Sequence, residues 1–332
     1  MSGLVVVGVD GSASALAAVE AAAREARLRG AGLRVVHAFV WPASHVPFGP
    51  SPSGPPEGGP RNMVERLVAE SVSLARAVEP GVDISHVVLA GEPLTVLEAQ
   101  SRGAELVVVG SRGMGGFVGL LVGSTAVRLA AHARCPVLVV HEQRQHEGPI
   151  VLGVDGSAAG ERAVDLAFAE ASLRRAPLVA LHAWTTWNAA RTAPQDPSTP
   201  YANPPGALAA EEERLLAEAL AGHRERYPGV EVERRVVHGR TREALIEASR
   251  SAQLMVVGAR GRGGFTGLLL GSVSQALLHH AHCPVAVVRG RTPESSSVRG
   301  PPRSARAPRT PWLPGSGASL EGRVDLFLGR RV

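Results

Sequence analysis

Two loops of the sequence have the residue types and spacing of an anion cradle. The first reads Gly110-x-x-Gly113, nine residues, then Gly123-Ser124, and the second reads Gly258-x-x-Gly261, nine residues, then Gly271-Ser272. Glycine permits positive φ and leaves no side chain between backbone N–H groups and an anion. Each Gly-Ser pair opens a helical pattern, and a helix N-terminus is electropositive. Amides, the Ser124 and Ser272 hydroxyls and the adjacent Thr125 would hold a polyphosphate there without a lysine. Arg112 and Arg260 lie inside the loops, within reach of the same phosphates or solvated at the surface. Asp10 and Asp155 each follow a short apolar run. Across a crevice from the cradle, an acceptor-only carboxylate suits ribose or base donors and would repel phosphates.

Other chemistries lose their reagents. All 35 basic residues are arginine, so neither a Schiff-base lysine nor a Walker A lysine exists. No GxGxxG follows the first apolar run, which disfavours a dinucleotide enzyme. No nucleophile and base stand at motif spacing, so efficient turnover is not expected, and slow ATP hydrolysis or phosphotransfer through Asp10 or Asp155 with Mg²⁺ is the enzymatic alternative. Cys135 and Cys283 precede apolar runs in equivalent places and read as buried, inert thiols. His279, His280 and His282 lack the i,i+4 spacing that converges on a metal, and His37 and His182 read as satisfied core residues.

The elements that must position the loops come in two copies. Residues 5–12, VVVGVDGS, return as IVLGVDGS at an offset of 145, and both glycine loops and Cys135-Pro136-Val137 return at 148. A period of this size is a tandem domain duplication rather than a solenoid. In the first copy the spacing predicts strands over Leu4–Val9, Leu33–Phe39, Asp83–Leu89, Leu106–Val109 and Val137–Val140. Helices are predicted to about Arg29, with Leu16, Val19, Ala22 and Ala26 as the apolar stripe, and over 62–78, 94–100 and 124–132. Uninterrupted Val/Leu strands between helices mean a parallel sheet covered on both faces, a doubly wound α/β layer. The second copy is expected to repeat this order, giving domains at 1–143 and 147–290.

Composition agrees with two folded copies. The chain has 332 residues, 45% hydrophobic and 20% charged, and no apolar run approaches the roughly 18 residues of a spanning helix. A cytoplasmic protein with neither membrane segment nor signal peptide is expected. The net charge of +5 is not spread evenly: residues 289–332 hold nine arginines against three acids. This Pro/Ser/Arg-rich tail, 291–332, reads as disordered, and any nucleic-acid or anionic partner is expected only through it. The Pro/Gly-rich stretches 42–61 and 185–206 read as mobile loops.

With the first-strand Asp and the G-2x-G-9x-G-Ser motif each present twice, each half resembles an ATP-binding universal stress protein domain, over about residues 2–142 and 148–289. The resemblance implies two Rossmann-like domains, each a five-stranded parallel sheet of order 3-2-1-4-5. It implies a stress-response regulator that binds ATP, with Mg²⁺. Asp10 and Asp155 would lie near the adenosine, and Gly110, Gly113, Gly123, Ser124, Gly258, Gly261, Gly271 and Ser272 around the phosphates. Gly8, Ala38, Gly153 and Ala183 would line the base by the same analogy. It further implies an intrachain pseudo-dimer through the last strands, leaving open a homodimer and an unknown protein partner.

Overall fold

The computed structural model describes residues 3–39, 60–113, 122–141, 147–185, 206–262 and 270–290. The stretches 42–59 and 186–205 and the tail 291–332, read above as mobile or disordered, lie outside the described residues. The first half runs β1 (Leu4–Gly8), α1 (Ala13–Arg29), β2 (Gly32–Phe39), α2 (Pro60–Val78), β3 (Ile84–Ala90), α3 (Pro93–Gln100), β4 (Leu106–Gly110), α4 (Ser124–His132) and β5 (Val137–Val140). The second half runs β6 (Ile150–Gly153), α5 (Glu161–Arg174), β7 (Leu178–Trp184), α6 (Ala207–Ala219), α7 (His223–Arg226), β8 (Val232–His238), α8 (Thr241–Ala248), β9 (Leu254–Gly258), α9 (Ser272–His280) and β10 (Val285–Val288). It repeats the first with two additions, a 3₁₀ turn at Ala158–Gly160 and the single turn α7.

All ten strands form one sheet of order β3-β2-β1-β4-β5-β10-β9-β6-β7-β8, so each half has order 3-2-1-4-5. Pairing is parallel within each half and antiparallel only between β5 and β10, where Val137, Leu138 and Val139 face Val287, Ala286 and Val285. That one antiparallel step reverses strand direction, so the carboxyl ends of the two half-sheets lie at opposite ends of the sheet. The inner strands are buried on both faces, whereas the edge strands β3 and β8 keep one side in solvent. Two cores flank the sheet and each is continuous across both halves. One joins Val19, Val35 and Val108 to Phe168, Ala180 and Val256, and the other joins Val107, Leu129 and Val137 to Met255, Leu277 and Val285.

Helix α1 corrects one expectation. Ala15, Ala18, Val19, Ala22 and Ala26 are buried, but Leu16 is 37% exposed. Alanines let the helix axis approach the sheet closely, and the buried arc is centred on them, one position away from Leu16.

The face carrying α1 and α5 holds a ring of ion pairs between the halves. Arg29 bonds Glu25 and Glu170, and Arg174 bonds Glu170 and Glu25, with side chains only 3–12% exposed. The four residues are two copies of one i,i+4 pair, related by the offset of 145. Burial raises the Glu170 carboxyl above its ordinary value, and Arg174 and Arg29 pull it back. For Arg29 burial works against the charge, and Glu170 and Glu25 outweigh it, leaving its pKa raised. Because desolvation offsets most of the Coulomb gain, the ring matters chiefly when broken. Arg174→Met alone is expected to lower the unfolding free energy by roughly 3 to 5 kcal/mol, and replacing all four residues by apolar ones to cost far less. Urea unfolding of the two variants measures the difference.

Candidate functional site

Both glycine loops begin where the fourth strand of each half ends. Ser111 N–H donates to Val140 O at 2.8 Å and Ala259 N–H to Val288 O at 2.7 Å, which ties each loop start to the last strand. Gly123 N–H then donates to Ser111 O at 2.7 Å, and Gly271 N–H to Ala259 O at 2.8 Å. The nine-residue excursions are thus stitched shut at their bases, and Gly123 and Gly271 become the N-caps of α4 and α9. Neither cap supplies a side-chain bond. The first-turn N–H groups therefore keep no side-chain acceptor from the cap, which suits an incoming anion.

The aspartates lie against these loops rather than across a gap from them. Asp10 Oδ1 accepts from Ser12 N–H at 3.0 Å and its hydroxyl at 2.7 Å, and Asp155 does the same with Ser157. Asp155 Oδ2 also accepts from Arg262 N–H at 2.8 Å. A Cβ at Gly113 would sit 2.6 Å from Asp10 Oδ2, and one at Gly261 would sit 2.5 Å from Asp155 Oδ2. The second glycine of each motif is therefore required by the approach of the carboxylate, a packing reason that stands beside the anion-binding one.

In the first half the candidate residues surround one cleft of about 530 Å³ at the carboxyl ends of the strands. Gly8, Asp10, Ala38, Gly110, Arg112, Gly113, Gly123, Ser124 and Thr125 all line it. Sequence reasoning missed the rest of its apolar wall, to which Val36, Pro93, Leu97 and Val122 contribute together with Val9, Ala15, Val109 and Ala126. The available signal was Gly91-Glu92-Pro93 after the third strand, a turn with proline at the first helical position. Gly8 is small for a reason: an added Cβ would meet Leu97 Cδ1 at 2.9 Å, and the equivalent Gly153 would meet Val257 at 3.0 Å and Leu245 at 3.3 Å. The second-half counterparts hold the same places on their elements. Gly153 ends β6, Ala183 is buried near the end of β7, Gly258 ends β9, Arg260 and Gly261 follow it, and Gly271-Ser272 begins α9.

The halves brace their loops with different serines. In the first, buried Ser14 on α1 donates to Arg112 O and accepts from Arg112 N–H at 3.2 Å. Its counterpart is Ala159, and the second half places Ser274 where the first has Ala126. Ser274 Oγ lies 3.1 Å from Ala259 O and 2.9 Å from Gly271 O. The hydroxyl has moved from one side of the loop to the other.

His37 Nδ1 lies 2.8 Å from Val9 O, and His182 bridges Val154 O and Glu212 at 2.7 Å each, so both are satisfied core residues. Among the described residues no cluster of three His, Cys, Asp or Glu could hold a metal, the 279–282 histidines included. Burial pushes the Cys135 thiol up to about 11 and the Cys283 thiol up to about 12.

The family model described as the universal stress protein family matches residues 1–141 and again 148–289. A universal stress protein of Mycolicibacterium smegmatis is 40% identical over 297 residues, covering 86% of this chain and 97% of that one. One from Mycobacterium tuberculosis is 39% identical over 296 residues, covering 86% and 96%. Among solved structures, a universal stress protein from Archaeoglobus fulgidus superposes with TM-score 0.60 at 17% identity, covering 87% of this chain and 97% of that one. A putative universal stress protein from Pseudomonas aeruginosa gives 0.55 at 18%, covering 86% and 92%. The structural neighbours share the doubly wound fold, and the chain belongs to the universal stress protein family. No helix among the described residues is long and apolar enough to cross a membrane.

Two outcomes follow from this geometry. A Cβ at Gly110 would lie 2.5 Å from Ser14 Oγ and 2.6 Å from Ser14 backbone carbon, whereas at Gly258 the nearest atom is Arg260 O at 3.1 Å. Gly110→Ala should therefore lower the melting temperature by several degrees more than Gly258→Ala, read by differential scanning calorimetry. The thiols have folded pKa values above their unfolded ones, so both states are neutral below about pH 8 and the unfolded state ionises first as pH rises. Stability should fall from about pH 8.5 up to the folded values of about 11 and about 12, and iodoacetamide should label neither cysteine at pH 8 until the protein unfolds.

Proposed function

We propose that the protein is a stress-response regulator that holds ATP, carried as its Mg²⁺ complex, at two equivalent positions. The observation that supports it is the doubled cradle, two stitched Gly-x-x-Gly-nine-Gly-Ser loops that each end on an uncapped helix start beside an aspartate. In this reading the N–H groups near Gly113, Gly123 and Ser124, with the Ser124 hydroxyl, take the phosphates, and Gly261, Gly271 and Ser272 do so in the second half. The Arg112 and Arg260 side chains are solvent-exposed at the loop rims, where they reach outward phosphate oxygens. Gly8 and Ala38 leave room for a flat base against Val36 and Pro93, with Gly153 and Ala183 as their counterparts. In this reading Mg²⁺ is held by phosphate oxygens and water, its usual preference. A phosphate chain bound to both the glycine loop and the helix start would hold these two adjoining rims in place. The surface shown to a protein partner, or to a second copy of the chain, then depends on nucleotide occupancy.

The test is calorimetry with ATP and Mg²⁺ on the full chain. Gly123 and Gly271 have ordinary extended dihedrals, φ −69° and −70°, and an added Cβ meets nothing closer than 3.7 Å and 3.3 Å respectively. Gly123 has room for a Cβ, whereas at Gly271 the Ala259 carbonyl must give by a few tenths of an ångström, so circular dichroism checks that each valine variant, which covers the cradle, is folded. The wild type is expected to bind about two ATP, each of Gly123→Val and Gly271→Val about one, and the double variant none. A folded wild type that binds no ATP would leave the glycines with packing roles alone.

A further inference from the structure

In the turn after the third strand of each half the two copies present the same backbone and differ in one side-chain hydrogen bond. After β3, Gly91 N–H donates to Phe39 O at 3.0 Å, and after β8, Gly239 N–H donates to Trp184 O at 2.8 Å. The helix caps that follow, Glu92 at φ −66°, ψ 136° and Arg240 at φ −70°, ψ 121°, also match. The next residue is Pro93 in the first half and Thr241 in the second. Proline has no donor. The Thr241 hydroxyl donates to Ala183 O at 3.1 Å.

That carbonyl and its counterpart in Ala38 occupy a particular place. Carbonyls along a strand point alternately to its two neighbours, and Val36 O accepts from Val9 N–H on the β1 side. Ala38 O points to the same side, but β1 has ended at Gly8, so it faces the cleft that Ala38 and Pro93 line. No described residue donates to it. In the second half the same acceptor is already satisfied by Thr241.

We infer that Thr241 makes the two sites unequal in base recognition. The first site reads an exocyclic amino donor, as on adenine, through the open Ala38 carbonyl, and the second reads it only weakly, because the Thr241 hydroxyl already occupies one lone pair of the Ala183 carbonyl and keeps it satisfied whatever the base. The inference rests on the nucleotide reading above and concerns which base each site prefers. A donor that replaces water at an open acceptor gains a net hydrogen bond, whereas at Ala183 it must share the oxygen with the Thr241 hydroxyl or displace it, for a smaller gain. A base lacking the amino group leaves the Ala38 carbonyl buried and unpaired in the first site, and changes little in the second.

The probes are ATP and inosine triphosphate, which carries a carbonyl where adenine carries the amino group. In the full chain, Gly271→Val isolates the first site and Gly123→Val the second, and calorimetry reads the ATP-to-inosine affinity ratio at each. A ratio of roughly five to ten is expected at the first site and about one at the second. Adding Thr241→Pro to the Gly123→Val chain should raise the second-site ratio to the first-site value, since proline is tolerated at the first helical position. Adding Pro93→Thr to the Gly271→Val chain should bring its ratio down to about one. Thr241→Val, which removes only the hydroxyl, guards against a backbone effect and should act as the proline does. Equal ratios at both sites, or a second-site ratio unmoved by both Thr241 variants, would overturn the inference while leaving nucleotide binding intact. No binding of either nucleotide by any variant would remove both readings together.

Discussion

The antiparallel pairing of β5 with β10 is the constraint on which the rest of the molecule depends. Each half ends its sheet on a four-residue strand that is fully buried and wholly apolar. Left as edges, Val137–Val140 and Val285–Val288 would present unpaired backbone groups on an apolar surface, the combination that promotes aggregation. Pairing them satisfies the backbone and lets the two side-chain layers run on from one half to the other. The joint also serves the site, because the same strands accept the bonds from Ser111 and Ala259 that start the glycine loops. The seam strands thus anchor the starts of both glycine loops.

Duplication shows which features the fold holds fixed and which it lets drift. The aspartate turn, the loop-closing bond at Gly123 or Gly271 and the close packing of Gly8 or Gly153 recur with nearly equal geometry. The brace on the loop does not: a serine on α1 does the work in one half and a serine on α9 in the other. What is retained is a hydroxyl against a loop carbonyl, whichever helix carries it. The ion-pair ring behaves the opposite way. There both copies of one Glu/Arg pair remain, because each arginine needs the glutamate of the other helix as well as its own.

The fold was largely legible in the sequence because its signals are local. Apolar runs such as Leu106–Val109 admit one reading between helical patterns, and the offsets of 145 and 148 reveal the doubling without any structural knowledge. The motif residues of the first half fall together in one cleft for the same reason, since strand ends in a doubly wound sheet converge. What stayed hidden depends on partners distant in sequence. Glu25 and Glu170 read as surface charges on a helix until α1 and α5 meet. Thr241 reads as an ordinary helix start until it is seen beside Ala183. Leu16 was misplaced because an alanine-rich helix offers no size contrast from which to fix its buried arc.

Reversal of strand direction at the seam gives the molecule two mouths that look outward in opposite directions. A surface repeated in both halves is therefore shown twice, in opposite directions along one continuous sheet.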